Sequence, residues 1–478
     1  MDSDNPPTTE ARTTVDLGHP RAIHVVGVGG AGMSAIASVL AAMGHTVTGS
    51  DLRAGPAIEL LRAKGVAVAV GHAGANVGSA EVVAISTAVP ASNPEVQWAR
   101  EHGVAVVSRA AMLSAITRER RTLAVAGTHG KTTTSSMLAK ALIAADADPS
   151  FIIGGELNDV GSGAWWGSGE HLVVEADESD GTFLDLARVG AIVTNVEPDH
   201  LEFYGGFAAL ERAFERFVRE TPGPVVVCAD DPGAAALAAA VPTAVTYGTD
   251  AGSTYRITRE LHAGANTFAV THGAETLVSL TLPVPGAHNA RNATAALALV
   301  HQLGLDVVRA AHGLEAFAGV ARRFQFRGER GGVCCVDDYA HLPSETRAAI
   351  AAGREGPWDR VVVVFQPHRF SRTENLWRDF ADAFVGADVL VLLDVYGAGE
   401  PPRPGVTGRL IDGVVRAAHP ETEVHYVERR DSVAEVLAGI VRPRDLCLTL
   451  GAGDVTTVAS ELLSRLDDAA GPVSAPDS

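Results

Sequence analysis

Three times along this chain an apolar, β-type run ends in a glycine-rich or polar loop and gives way to a stretch patterned for a helix. This recurrence constrains the fold more than any other feature. Strands that alternate with helices build mainly parallel sheets with helices on both faces. The first unit runs from an apolar segment at 23–28, through a glycine loop, to a helix at 33–43 and a short strand at 45–48 closed by Asp51; strands follow at 81–85 and 104–107. The second has a strand at 123–126, a loop at 127–131 and a helix at 132–145, then strands at 172–175, 191–195 and 225–229, a β-rich stretch at 253–282 and a helix at 289–303. The third places strands at 333–337, 361–366, 389–395, 423–426 and 446–450.

The 478 residues exceed one ordinary hydrophobic core. The pattern divides them into a Rossmann-like domain at 21–118, a central P-loop-type α/β domain at 119–321 and a C-terminal Rossmann-like α/β domain at 322–467, with disordered tails at 1–20 and 468–478. A formal net charge of -19 argues against a chain that wraps nucleic acid or coats an anionic membrane. No apolar run is long enough for a transmembrane helix, and the polar, acidic first residues lack the pattern of a signal peptide. Cys228, Cys334, Cys335 and Cys447 have no CxxC spacing, so a reducing compartment fits best, and a cytoplasmic location is expected. Only three lysines occur, Lys64, Lys131 and Lys140, which makes a lysine inside a glycine loop conspicuous.

That lysine belongs to Gly127-Thr128-His129-Gly130-Lys131-Thr132-Thr133-Thr134, set between a strand and a helix. The N–H groups of such a loop and of the helix start form a cradle for phosphate oxygens. Lys131 would reach the β- and γ-phosphates and the Thr132 hydroxyl would bind Mg²⁺. Val125 stands where a standard Walker loop has its first glycine. The N-terminal loop, Gly27-Val28-Gly29-Gly30-Ala31-Gly32, also follows a strand, and Asp51 lies where a ribose-binding acid is expected. NAD fits this pattern, as in an oxidoreductase, but so does any nucleotide diphosphate, and a structural strand–helix turn has the same spacing.

Glu175-Ala176-Asp177-Glu178-Ser179-Asp180-Gly181 follows an apolar strand, where carboxylates can hold Mg²⁺ or form a solvated loop. His200, in Thr194-Asn195-Val196-Glu197-Pro198-Asp199-His200, is a metal ligand or a polar loop residue. In the third domain four polar clusters follow four strands: Asp337 to His341, Gln366 to Arg372, Asp394 to Glu400, and Gly451 to Asp454. They would converge on one rim of a parallel sheet. Arg369 and Arg372 have the spacing of a carboxylate clamp or of a surface pair.

Taken in order, GVGGAGMS, GTHGKTTT, EADESDGTFL, TNVEPDHLEFY, HNARN, ARRFQ, DDYAHLPSE, FQPHRFSRT, DVYGAGE and GAGD resemble the Mur ligase family over residues 21–465. The glycine-rich N-terminal loop, DDYAH and FQPHRFSRT are most similar to the member that adds the first amino acid. The resemblance implies ATP-dependent ligation of L-alanine to the lactyl carboxylate of UDP-N-acetylmuramate through an acyl phosphate, in peptidoglycan precursor synthesis. A related ligase that joins a preformed peptide in cell-wall recycling is the alternative. ATP and Mg²⁺ are the implied cofactors, and a monomer or homodimer the implied state.

By the same resemblance the first domain binds a UDP-sugar rather than NAD, through Gly29, Gly30, Ala31, Gly32, Asp51, Ser86 and Arg109. Gly127 to Thr133, His288, Asn289, Asn292, Arg323 and Asp338 serve ATP, and Thr132, Glu175 and His200 the metal. Tyr339, His341, Arg369 and Arg372 serve the amino acid. Lys131, His200, Arg323 and His341 carry the catalytic roles. Leu342 occupies the place of a second histidine that the family motif usually has, and no lysine lies between Asn195 and Glu220 to be carbamylated.

Overall fold

The computed structural model describes residues 15–262 and 265–470. Its three sheets correspond to the three α/β patterns. The first is built from β1 (Ala22–Val26), β2 (Thr46–Asp51), β3 (Ala67–Val70), β4 (Val82–Ile85) and β5 (Ala105–Ser108), in the order β3-β2-β1-β4-β5. Every pairing is parallel. The order reverses between β1 and β4, so a crevice opens at their carboxyl ends. Helix α1 (Ala31–Ala42) buries Met33, Ile36, Ala37, Val39 and Leu40, a one-sided stripe at helical spacing. Helix α2 (Pro56–Ala63) buries Ile58 and Leu61. Helix α3 (Pro94–Glu101) starts with proline in its first turn and with Asn93, whose side chain accepts from the N–H groups of Glu95 and Val96. Helix α4 (Arg109–Thr117) is capped by Ser108.

The second sheet has ten strands: β6 (Arg121–Ala126), β7 (Ser150–Leu157), β8 (Ser162–Trp165), β9 (His171–Glu175), β10 (Gly190–Val193), β11 (Val225–Cys228), β12 (Val245–Gly248), β13 (Tyr255–His262), β14 (Ala265–His272) and β15 (Glu275–Leu282). Their order is β15-β14-β13-β12-β11-β10-β6-β9-β7-β8. β6 lies between β10 and β9, parallel to both, so the loop after it leaves the sheet at a switch point. Helix α5 (Lys131–Ala144) begins at the end of that loop.

The third sheet comprises β16 (Gln325–Arg330), β17 (Val333–Asp338), β18 (Arg360–Phe365), β19 (Val389–Leu393), β20 (Glu423–Val427) and β21 (Asp445–Leu450), ordered β16-β17-β21-β18-β19-β20. Its apolar residues divide by parity. Val361, Val363, Phe365, Leu446, Leu448 and Leu450 pack with Ile350, Ile411 and Val415 on one face. Val362, Val364, Cys447, Val389 and Val391 pack with Val433, Leu437, Val458 and Leu462 on the other. A strand buried on both faces is what its unbroken apolar run requires.

The described chain forms two compact units. Among the described residues, the first contains 15–258, 269–279 and 291–314; the second contains 259–262, 265–268, 280–290 and 315–470. The expected N-terminal tail at 1–20 is corrected from residue 15 onward, because Val15 and Leu17 are buried and Arg21 pairs with Asp16. Two apolar side chains suffice to dock a segment that composition alone marks as polar. The last helix, Val458–Ala470, overruns the expected boundary at 467. Residues 1–14 and 471–478, expected as tails, lie outside the described residues.

Candidate functional site

The phosphate-type loop is built by its neighbours. Gly127 has φ +134, and a Cβ there would lie 2.1 Å from Thr194 Oγ1, so only glycine lets β6 and the β10 exit approach this closely. The segment after β10 clamps the loop. Asn195 Oδ1 accepts from His129 N (2.7 Å), the Thr194 hydroxyl donates to His129 O (2.6 Å), and Glu197 N donates to Thr128 Oγ1 (2.9 Å). Gly130, in the left-handed region at φ +76, ends the loop, and no side chain caps α5. Asn292 stands beside it: a Cβ on Gly130 would meet Asn292 Oδ1 at 3.1 Å. His288 and Asn289 lie in the first turn of the same helix, Ala287–Gln302, where Asn289 Nδ2 donates to Pro285 O (2.7 Å).

Lys131 donates to Gly127 O (2.7 Å) and Thr128 O (3.2 Å), and its ammonium sits 2.9 and 3.0 Å from the two oxygens of Glu178. Burial works against its charge, but Glu178, Asp177 and Glu175 outweigh it and hold the ammonium above its ordinary value. Burial in turn pushes Glu178 up to about 7 against the pull of Lys131. Tyr204 OH donates to Glu178 O (2.5 Å). The Thr132 hydroxyl donates to Glu175 Oε1 (3.1 Å), and Glu175 Oε2 accepts from Gly154 N (2.8 Å). A hydroxyl beside a carboxylate is the hard-oxygen donor set that Mg²⁺ takes, so these two side chains fit the ion. His200, at φ +52, is held by Asp199, its Nε2 3.3 Å from Oδ2. Among the described residues no group of three His, Cys, Asp or Glu side chains is spaced to hold a metal.

In the first sheet the glycine loop folds over the end of β2. Gly27 (φ +70) and Val28 donate to Ser50 O (2.8 and 3.0 Å), and Gly29 N donates to Asp51 Oδ2 (2.9 Å). Gly30 starts α1 with no side-chain cap, leaving the helix N-terminus open to an anion. Arg109, at the start of α4, lies against Gly32: a Cβ there would be 3.4 Å from Arg109 Cδ. Ser86 directly follows β4 across the crevice, and the turn it opens, closed by Val89 N donating to Ser86 O, lies beside Gly27.

In the third sheet Asp338 ends β17 and accepts from Phe324 N (2.6 Å) and Ala340 N (2.7 Å); burial pushes its carboxyl above the ordinary carboxylate range despite Arg323. Arg322 and Arg323 both stack on Tyr339, at 4.9 and 5.0 Å. Tyr339, His341, His368 and Tyr396 follow one another in ring contacts of 5.5, 5.7 and 5.9 Å. Arg372 Nη1 is 3.2 Å from His368 Nδ1. Arg369 adopts φ +70, with its N–H on Tyr396 O (2.8 Å). The structure thus gathers Tyr339, His341 and Arg372, with Arg369 just before the helix Phe370–Leu376 that carries Arg372. It adds His368 and Tyr396, which sequence reasoning quoted in its runs without assigning a role. Burial, together with His341, Arg372 and Arg369, pushes His368 down to about 3, so it stays neutral and can accept from the guanidinium. Leu342 is buried at the start of the helix Pro343–Arg354.

A phosphate loop at one switch point, an open-ended glycine loop at another and a basic, aromatic strand-end cluster define a nucleotide-using α/β enzyme. Family descriptions match in order along the chain: "Mur ligase family, catalytic domain" at residues 22–121, "Mur ligase middle domain" at 125–300 and "Mur ligase, glutamate ligase domain" at 322–453. The chain belongs to the Mur ligase family. It is 47% identical to the UDP-N-acetylmuramate–L-alanine ligase of Rubrobacter xylanophilus over 449 residues, which cover 93% of this chain and 100% of that one. The solved UDP-N-acetylmuramate-alanine ligase of Thermotoga maritima matches with a TM-score of 0.78 at 31% identity, over 94% of this chain and 100% of that one. A murein peptide ligase from Psychrobacter arcticus shares the fold at a TM-score of 0.66 and 24% identity, over 93% of this chain and 98% of that one.

Proposed function

We propose that this protein joins L-alanine to the lactyl carboxylate of UDP-N-acetylmuramate, converting ATP to ADP and phosphate. The observation that carries this reading is the 47% identity to a ligase of that name, sustained over the whole length of that relative. The phosphate loop and the glycine loop support it, since the reaction needs two phosphate-bearing substrates. Among the described residues no helix is long and apolar enough to cross a membrane, and the cytoplasm is the compartment that fits an ATP-consuming step.

In this reading the carboxylate attacks the γ-phosphate, ADP leaves, and an acyl phosphate forms. The amine of alanine attacks its carbonyl, and the tetrahedral adduct collapses to the amide and phosphate. Phosphoryl transfer is catalysed by positioning and charge neutralisation. Lys131 leaves Glu178 for the phosphates, and Arg323 is assigned to them by family correspondence. Thr132 and Glu175, with His200 assigned beside them by family correspondence, would hold Mg²⁺, which would supply further neutralising charge. Gly29, Gly30 and Arg109 hold the diphosphate of the sugar nucleotide. Tyr339, His341, Arg369 and Arg372 receive the amino acid, the guanidinium groups taking its carboxylate.

The test is phosphate release from Mg-ATP with UDP-N-acetylmuramate and alanine, glycine, serine or a cell-wall tripeptide, each component omitted in turn. Release that needs all three substrates and is strongest with alanine is expected. Release with the tripeptide alone would transfer the assignment to peptide recycling, and no release with any acceptor would overturn it.

A further inference from the structure

Beneath the glycine loop lies a buried carboxylate for which the reaction has no direct use. Glu95, in the first turn of α3, has no solvent exposure. Its Oε2 accepts from Ser50 Oγ (2.6 Å) and stands 3.0 Å from His72 Nδ1. Its Oε1 accepts from Asn76 Nδ2 (2.7 Å) and from Ala73 N (3.3 Å). His24, on β1, places Nε2 3.7 Å from Oε2 and ties its Nδ1 to Thr48 Oγ1 (2.8 Å). Burial alone favours the neutral acid, but the nearby His24 ring and the hydrogen bonds from Ser50 and Asn76 hold Glu95 down to about 2. Four separate segments therefore converge on one charged group: β1, β2, the turn after β3, and α3. An uncompensated buried charge is strongly unfavourable, so each partner is fixed by the need to satisfy it.

Ser50 transmits this to the site. Its hydroxyl is on Glu95, while its carbonyl accepts the N–H groups of Gly27 and Val28. The next residue, Asp51, accepts from Gly29 N. We propose that Glu95 is a positioning residue for the sugar-nucleotide diphosphate: by fixing Ser50 it fixes where the glycine-loop N–H groups and the Asp51 carboxylate point. The inference rests on the reading of the first sheet as the UDP-sugar site.

Two substitutions in the full-length enzyme test it. Ser50→Ala cuts the link and leaves Glu95 with its other partners. Glu95→Gln keeps the shape but replaces one acceptor oxygen with an N–H donor among donors. Binding of UDP itself is measured by calorimetry, alongside KM for UDP-N-acetylmuramate, KM for ATP, kcat and the melting curve. Both variants are expected to bind UDP about tenfold more weakly and to raise the sugar-nucleotide KM by a similar factor, the loss of roughly one hydrogen bond. Their kcat and KM for ATP should stay within about twofold, since the phosphate loop lies on another sheet. Wild-type UDP affinity in Ser50→Ala, or an equal fall of every activity with the folded fraction, would overturn the proposal and leave Glu95 a packing residue. Failure of the unaltered enzyme to bind UDP would instead remove the site itself, and the inference with it.

Discussion

Lys131 is held by two loop carbonyls and by both oxygens of Glu178, an arrangement that stores the positive charge where phosphate oxygens are expected. Removing it takes away neutralising charge in the transition state, a loss of about 10²–10³-fold for a single well-placed donor. Lys131→Ala is therefore expected to lose ligation on that scale while binding UDP normally, because the glycine loop of the first sheet does not depend on it. Single-turnover acyl-phosphate formation and UDP calorimetry on the same sample check both halves, and near-normal turnover would refute the assignment of this lysine. His368 gives a residue-scale pH effect. Its folded value is pushed down to about 3 by burial and by His341, Arg372 and Arg369, against an ordinary 6.5. Between those values the unfolded chain takes up a proton that the folded chain does not. Stability from this residue is thus fully present above pH 6.5 and is lost as pH falls toward 3. His368→Gln removes the linked proton, so urea midpoints at pH 7.5 and 5.0 should lie closer together than in the unaltered protein; an unchanged interval would contradict the neutral, buried imidazole.

At the scale of elements, the loop between β6 and α5 depends on a close approach that one methyl group would prevent. Gly127→Ala places a Cβ 2.1 Å from Thr194 Oγ1 at a φ of +134, and the expected cost is about 1–3 kcal/mol with weakened ATP binding. Gly44 is also left-handed, at φ +94, but a Cβ there meets nothing within 4 Å. Gly44→Ala should cost less and leave ATP binding unchanged; equal effects from the two would show that backbone strain alone is at work. The same contrast separates what the sequence makes legible from what it hides. Strand, loop and helix at 123–145 are local in the chain, and their phosphate chemistry is written in consecutive residues. The strand-end rule likewise gathers Tyr339, His341 and the two arginines. The clamp on the loop is not local: Asn195 reaches His129 across 66 residues and Glu178 reaches Lys131 across 47. Strand β3 escapes notice because its four residues lie between glycines with none of them fully buried, and β7 because Gly154 and Gly155 read as a turn within it. The pairing of β7 with β8 shifts register between Ile152 and Leu157, which breaks the alternation a hairpin normally displays. His368 and Tyr396 sat in quoted runs, but their ring contacts join β18 to β19 through space rather than along the chain.

For the whole molecule the governing quantity is a formal net charge of -19, carried by an enzyme whose proposed substrates are a nucleoside triphosphate and a sugar nucleotide, both anionic. Contacts at the loops act over a few ångströms, whereas the approach of a ligand is governed by the field at longer range. The Debye length is about 30 Å at 0.01 M salt and about 8 Å at 0.15 M. At low salt the field of the whole protein opposes the approach of the anion; at physiological salt only nearby groups such as Arg109 are felt. Association of UDP is therefore expected to become faster as NaCl rises from about 0.01 to 0.15 M, on the order of twofold, with dissociation changed less. Stopped-flow binding at several salt concentrations separates the two rates. A slower association with added salt would mean that the basic groups at the crevice project past the acidic surface and steer the ligand. In that case Arg109→Gln should abolish the salt effect, whereas under the repulsion account the same substitution leaves its sign unchanged.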